Sequence, residues 1–185
     1  VACAALDGGA TSLGVATLQE AIDLRKAGIN CPILILGNLI NFEDLESCLG
    51  WNLMITLSSS KEALLCQAVA ELQGKTFNVH VKVDTGMTRL GCDLNEAPAL
   101  IDLVENLQNV CLKGIYSHLA LADAEKNSES ELFTFEQKAR FDGLLSTLTV
   151  KTTHLCKHLA NSAGTLRYKN LHFDMVRVGL ALYGY

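Results

Sequence analysis

The chain has 185 residues, 49% of them apolar and 19% charged, with 14 glycines, two prolines and a formal net charge of −5. Typical globular chains carry roughly 25% charged residues, so this composition supplies ample core and excludes a disordered chain, a collagen-like repeat and a coiled coil. No segment is strongly basic, which argues against an electrostatic nucleic-acid binder. The longest apolar stretch, 31–40, is broken by Pro32, Gly37 and Asn38, whereas a membrane helix needs about 20 apolar residues in a row.

Strand and helix patterns alternate along the chain. The apolar run 13–16 predicts a strand, and Thr17-Leu18-Gln19-Glu20 is a Ser/Thr-x-x-Glu capping box that opens a helix. That helix carries Leu18, Ala21, Ile22 and Leu24 on its apolar face and ends with Arg25, Lys26 and then Gly28. The run 32–37 lacks alternation, as expected of a parallel strand covered on both faces. A helix is predicted over 41–49, a strand over 53–57, a helix over 60–72, a strand over 80–84 and a helix over 97–107. A strand over 110–118, a helix over 132–148 and strands near 154–159 and 175–178 complete the series. The polar stretch 123–132 reads as a surface loop. The result is seven strands with intervening helices. Both a (β/α)8 barrel, at roughly 31 residues per unit, and a doubly wound sheet share this alternation. Neither Gly-x-Gly-x-x-Gly nor a Walker sequence is present.

The seven cysteines, Cys3, Cys31, Cys48, Cys66, Cys92, Cys111 and Cys156, are odd in number and contain no Cys-x-x-Cys. Metal and disulfide-framework readings therefore fail, and scattered thiols of this kind fit a reducing cytosol. The chain opens at Val1 without a signal-like segment and closes at Tyr185 on an apolar run, as expected of part of a longer chain.

Four polar clusters follow predicted strands: Lys82 to Gly91 with Asp84, Met87 and Arg89; Tyr116-Ser117-His118; His158 to Ser162 with Asn161; and Met175 to Gly184 with Arg177, Gly179 and Leu180. Barrel active sites lie at the C-terminal ends of the strands, and phosphate sites use the loops after the last two. Asn161, Ser162, Gly179 and Leu180 occupy those places and offer amide, hydroxyl and backbone donors. Each residue also has a bland alternative. His118 and His158 suit hydrogen-bonded core histidines, and Lys82 and Asp84 suit ordinary strand positions. Arg177 suits a structural ion pair, because a buried guanidinium needs partners. His80, His154 and His172 stand outside any cluster.

The segments HVKVDTGMTRLG (80–91), GIYSHLALADAE (114–125) and HLANSAGTLRYKNLHFDMVRVGLALYGY (158–185) resemble three blocks of the alanine racemase family, in order and with fitting spacing. LGVATLQEAIDLRKAGINCPILILG (13–37) is similar to that family's second and third strands. The resemblance implies an incomplete TIM-type (β/α)8 barrel lacking its first strand. It implies a single partial barrel domain over 1–185 that binds pyridoxal 5'-phosphate (PLP), with the family's C-terminal β-domain outside the chain. It also implies interconversion of L- and D-alanine by two bases, a Schiff-base lysine and a tyrosine from a partner subunit in a homodimer, neither of which is in this chain. Arg177 would donate to the PLP pyridine nitrogen, His158 would buttress it, and His118 would lie against the ring. Asn161, Ser162, Gly179 and Leu180 would cradle the phosphate. Arg89 would neutralise the substrate carboxylate, with Met87 shaping the pocket. Lys82, at the position of a lysine that can be carbamylated, would orient Arg89. No metal is implied. A serine or broad-specificity racemase and a non-catalytic PLP-binding barrel are the alternatives.

Overall fold

The computed structural model describes residues 1–148 and 154–185. Its elements are α1 (Ala2–Asp7), β1 (Leu13–Val15), α2 (Leu18–Lys26), β2 (Ile33–Ile35), α3 (Phe42–Gly50), β3 (Met54–Leu57), α4 (Ser60–Gln73), β4 (Phe77–Lys82), α5 (Ala97–Asn106), β5 (Val110–Tyr116), α6 (Glu129–Thr147), β6 (Cys156–His158) and α7 (Ser162–Arg167), with short 3-10 turns at Lys169–Leu171 and Leu180–Tyr183. The strands form one sheet in the order β1-β2-β3-β4-β5-β6. The β1–β2, β2–β3 and β5–β6 ladders are parallel. A doubly wound sheet reverses its strand order at a switch point. This sheet never reverses, and a helix crosses between most neighbouring strands, which is the winding of a (β/α) barrel. The fold is thus part of a TIM-type barrel, as the sequence implied.

By packing, the chain divides into one unit of Val1–His80 with Asp102–Leu112 and another of Val81–Ile101 with Lys113–Tyr185. In the first, β2 is Ile33, Leu34 and Ile35, all buried, so the absence of alternation in the sequence has the expected cause. The Thr17 capping box forms in full: its side chain accepts from the Glu20 N–H, and the Glu20 carboxylate accepts from the Thr17 N–H at 3.0 Å. Ser59 caps α4 by accepting from Glu62, and Gly74, in the left-handed region at φ 59°, closes it. Arg25, read from sequence as a favourable charge at the end of α2, does more. Its Nε donates to Trp51 O at 2.9 Å, Nη1 to Ile29 O and Cys31 O at 2.7 and 2.8 Å, and Nη2 to Asn52 O at 2.9 Å. One side chain thereby ties the end of α2 to the ends of the next loop and of α3.

In the second unit, α6 starts at Glu129, three positions before the predicted 132, so the polar stretch is loop only in part. Ser128 accepts from the Glu131 N–H at 3.1 Å, and the Glu131 carboxylate accepts from Asn127 N at 2.5 Å. A second Ser-x-x-Glu start signal lies inside that polar run. The predicted strand at 175–178 does not form. Met175 makes an isolated bridge to His158, and Asp174 N and Arg177 N donate to the neighbouring backbone, at Lys157 O and Ala160 O. The Asp174 carboxylate takes the Lys157 N–H that a ladder would use, and the chain turns into 3-10 geometry straight after Gly179. Helix α1 had no counterpart in the sequence reading, since a six-residue Ala-rich run shows no periodicity.

Replacing Arg25 with Met should lower stability by on the order of 2–3 kcal/mol, because four carbonyls lose a charged donor. Lys should recover only part of this, having no planar fork. Urea unfolding of both variants measures the difference.

Candidate active site

The predicted site residues all fall in the second unit, at or after the C-terminal ends of β4, β5 and β6 or, for Arg177, Gly179 and Leu180, in the segment leading into the last 3-10 turn. The last residues of these strands are Lys82, Tyr116 and His158, and they form one layer. Tyr116 and His158 are register partners in the ladder, and their rings stack at 4.5 Å with 7° between planes. Lys82 Nζ lies 5.6 Å from the Tyr116 centroid and Arg177 Cζ lies 5.0 Å from it. The sequence placed Tyr116 in a cluster without a role; here it is 1% exposed and is the plate on which both cations rest.

Arg177 is the most connected side chain of the group. Nη1 donates to His158 Nδ1 at 2.7 Å, and Nη2 donates to Ser117 O at 2.6 Å and Leu159 O at 3.1 Å, with His118 Nδ1 at 3.3 Å. A guanidinium only donates, so both histidines present bare Nδ1 atoms, and any ring proton sits on Nε2. Burial lowers Arg177 to about 10, with Tyr116 and Cys156 acting against it, so it stays charged at neutral pH. Among the described residues no acceptor is bonded to its Nε–H. The structural ion pair weighed from sequence does not form: none of the described salt bridges involves Arg177.

Lys82 is 4% exposed. Burial first, then the charges of Arg89 and Arg177, lower it to about 8, with Asp84 opposing. His118 is pushed down to about 4 by burial and by Arg177, Lys82 and Arg89, so it is neutral at physiological pH. Arg89 itself is exposed and Met87 half-buried. Both ride on a tight turn in which the Asp84 carboxylate accepts from Gly86 N at 2.8 Å and Thr88 N at 3.1 Å. Gly86 at φ 138° and Gly91 at φ 127° supply the required backbone. A Cβ at Gly91 would lie 2.7 Å from Asp84 N, so no other residue fits.

Beyond β6, Asn161 caps α7: its Oδ1 accepts from Gly164 N at 3.0 Å and its Nδ2 donates to Leu119 O at 3.3 Å. Both polar atoms of Asn161 are therefore bonded within the protein. Ser162 Oγ accepts from Gly179 N at 2.9 Å and Ala181 N at 3.3 Å, which joins the two predicted phosphate loops and leaves the hydroxyl proton to donate outward. Space beside Gly179 is open, with no atom within 4 Å of a Cβ built there. Of two cavities, one of about 330 Å³ lies in the first unit and one of about 500 Å³ is lined by the turn after β4, including Asp84, Gly86 and Gly91; neither is lined by Lys82, His118, His158 or Arg177. Among the described residues no His, Cys, Asp or Glu cluster could hold a metal, and no helix is long and apolar enough to cross a membrane.

The family described as "Alanine racemase, N-terminal domain" matches residues 1–185. The chain belongs to this family. It is 68% identical over 185 residues to alanine racemase of Prochlorococcus marinus, covering 100% of the chain and 48% of that relative. Among solved structures, alanine racemase of Clostridium difficile superposes with TM-score 0.88 at 32% identity, over 97% of this chain and 46% of that one. Histidine racemase of Leuconostoc mesenteroides superposes with TM-score 0.85 at 27% identity, over 100% of this chain and 48% of that one. The chain thus spans about half the length of the alanine racemase relatives it matches.

The His118 environment predicts an acid limb in stability. An unfolded chain takes up this proton near the ordinary 6.5, whereas the folded chain resists it until about 4. The unfolded state binds more protons in that window, so stability falls as pH drops from 6.5 to 4. His118→Gln should flatten this limb by on the order of 2 kcal/mol, read as the difference between urea midpoints at the two ends of the window.

Proposed function

We propose that the protein of which this chain forms part racemises alanine with PLP. The observation that carries the reading is the Arg177 fork, held by His158, His118 and two carbonyls with its Nε–H still to be used. The donor set fits PLP: an aromatic nitrogen accepts one hydrogen bond from a cation, and a phosphate accepts several from hydroxyl and backbone groups. PLP, when bound, supplies the electron sink that stabilises charge at the substrate α-carbon.

The residues of this chain then divide the work of binding and orientation. Arg177 donates its Nε–H to the pyridine nitrogen and keeps its proton, because a guanidinium near 10 does not release it at neutral pH. Keeping its own proton there, Arg177 would leave the pyridine nitrogen unprotonated and PLP a weaker electron sink, which would suit proton return over other outcomes. His158 holds Arg177 in place, and His118, neutral, lies against the ring. The Ser162 hydroxyl and the Leu180 backbone hold the phosphate, Gly179 giving it room to approach while its own N–H holds Ser162 Oγ, with Asn161 fixing the start of α7 beside them. Arg89 pairs with the substrate carboxylate and Met87 shapes the pocket. The two proton-transferring bases, a lysine and a tyrosine, are assigned to the rest of the protein, the tyrosine in the partner of a homodimer. A cytoplasmic location is part of the same reading, supported by seven free thiols, which suit a reducing compartment.

Lys82 needs a further step. As an ammonium it repels Arg89 and Arg177, and no carboxylate neutralises it fully. Its neutral amine, accessible from a pKa of about 8, adds to carbon dioxide to form a carbamate and release one proton. The new negative charge would orient Arg89. The solved histidine racemase of the same fold favours a second reading in which the amino acid differs, and serine or broad specificity is tested with it.

Full-length protein supplied with PLP should convert L-alanine to D-alanine faster than it converts serine or histidine, measured with chiral chromatography across that panel. Arg177→Glu should lower racemisation on the order of 10²–10³-fold, the loss typical of one preorganised donor, and raise transamination; an unchanged rate and cofactor absorption would place Arg177 outside the site. Isotope-labelled bicarbonate should give a single carbamate signal by NMR, absent from Lys82→Ala.

A further inference from the structure

Helix α6 contributes two polar side chains that are wholly inside the protein, Thr134 and Gln137, and of these Gln137 reaches the segment after β5. Gln137 is 0% exposed. Its Nε2 donates to His118 O at 3.0 Å and to Thr85 Oγ1 at 3.2 Å, and its Oε1 accepts from Ala120 N at 2.9 Å. Thr85 Oγ1 in turn lies 2.7 Å from Ser117 Oγ. A buried amide in an apolar helix face is costly unless bonded, and here both N–H groups and the oxygen are used. The carbonyl of His118 and the N–H of Ala120 flank Leu119. By donating to one and accepting from the other, the Gln137 amide imitates the neighbouring strand that this segment lacks once β5 has ended at Tyr116. On its other side the same segment meets Arg177, whose Nη2 donates to Ser117 O and faces His118 Nδ1. An unbroken series of hydrogen bonds therefore runs from α6 through residues 117–120 to the guanidinium.

We propose that Gln137 is a positioning residue: by gripping the backbone on both sides of Leu119 it fixes the His118 imidazole against Arg177, and so aims the guanidinium at the cofactor ring. This rests on the reading of the site as a PLP-binding racemase. The grip has two parts, because Thr85 shares the same amide nitrogen and anchors it to the turn after β4. Arg140, one helical turn further on α6, donates to Thr85 O at 2.9 Å and steadies that turn. A purely structural Gln137 would support folding without influencing His118 or the chemistry.

The test uses the full-length protein with Gln137→Met, which keeps the side chain's length and removes every donor and acceptor. In the protein without cofactor, the Ala120 amide should exchange with solvent faster. The His118 titration, followed by NMR, should move from about 4 towards the ordinary 6.5 as the ring leaves Arg177, Lys82 and Arg89, the cations that depress it. In the loaded enzyme kcat should fall on the order of ten- to a hundredfold, the effect of a small misplacement near the reacting centre, with KM nearly unchanged and a shifted cofactor absorption band. Should Gln137→Met not fold, Thr85→Val, which removes the anchor shared with Gln137 together with the Ser117 Oγ contact and leaves the Gln137 bonds to His118 and Ala120 in place, should give the same changes in smaller measure. A variant that melts earlier yet keeps the wild-type His118 titration, kcat and absorption band would overturn the proposal. Wild-type protein without racemase activity would refute the functional reading instead, and the His118 titration would still decide the role of Gln137.

Discussion

The site depends on how one guanidinium is satisfied. A cation removed from water needs acceptors in the directions its N–H groups point, and an unmet demand costs several kcal/mol. Arg177 finds two imidazole nitrogens and two backbone carbonyls. All four are neutral, so the geometry is fixed while the charge is left intact. A carboxylate partner would have given equal geometry and cancelled that charge. The acceptors also come from two strand ends, Ser117 and His118 just after β5, His158 closing β6 and Leu159 just after it, so the same bonds that hold the arginine lock those strand ends together.

Behind the arginine lies the Lys82–Tyr116–His158 layer. Parallel strands in register bring their last residues side by side, and a barrel fills such positions in layers. The layer here is aromatic in its middle, which lets two cations approach its faces without a carboxylate between them. Lys82 is thus kept half-ready to lose its proton, and His118, among the same charges, is kept from gaining one.

Much of this was readable in the chain of letters because it rests on local rules. The Thr17-x-x-Glu20 box and the unalternating Ile33–Ile35 strand each state a backbone requirement at short range. The clusters at strand ends followed from the winding, and the resemblance to one family assigned roles to His118, His158 and Arg177 that spacing alone left open between core and site. What escaped reading was non-local. Gln137 sits in a helix whose pattern gives no sign that this glutamine points inward, and its partners are 17, 19 and 52 residues away in sequence. Tyr116 had a place but no role, because stacking on His158 is a property of register. The strand expected near 175 failed because Asp174 spends its carboxylate on a ladder position, a competition that hydrophobic patterning does not register.

Three cations, Lys82, Arg89 and Arg177, surround His118 with Asp84 as the carboxylate that counters Lys82. Such a cluster of like charges attracts small anions whatever the substrate, since summed charge of one sign raises the local concentration of counter-ions. Acetate, phosphate or chloride from the buffer would lodge there, compete with any carboxylate ligand and report on the site by their own displacement. Salt identity, and not ionic strength alone, would therefore count as an experimental variable for every assay on this protein.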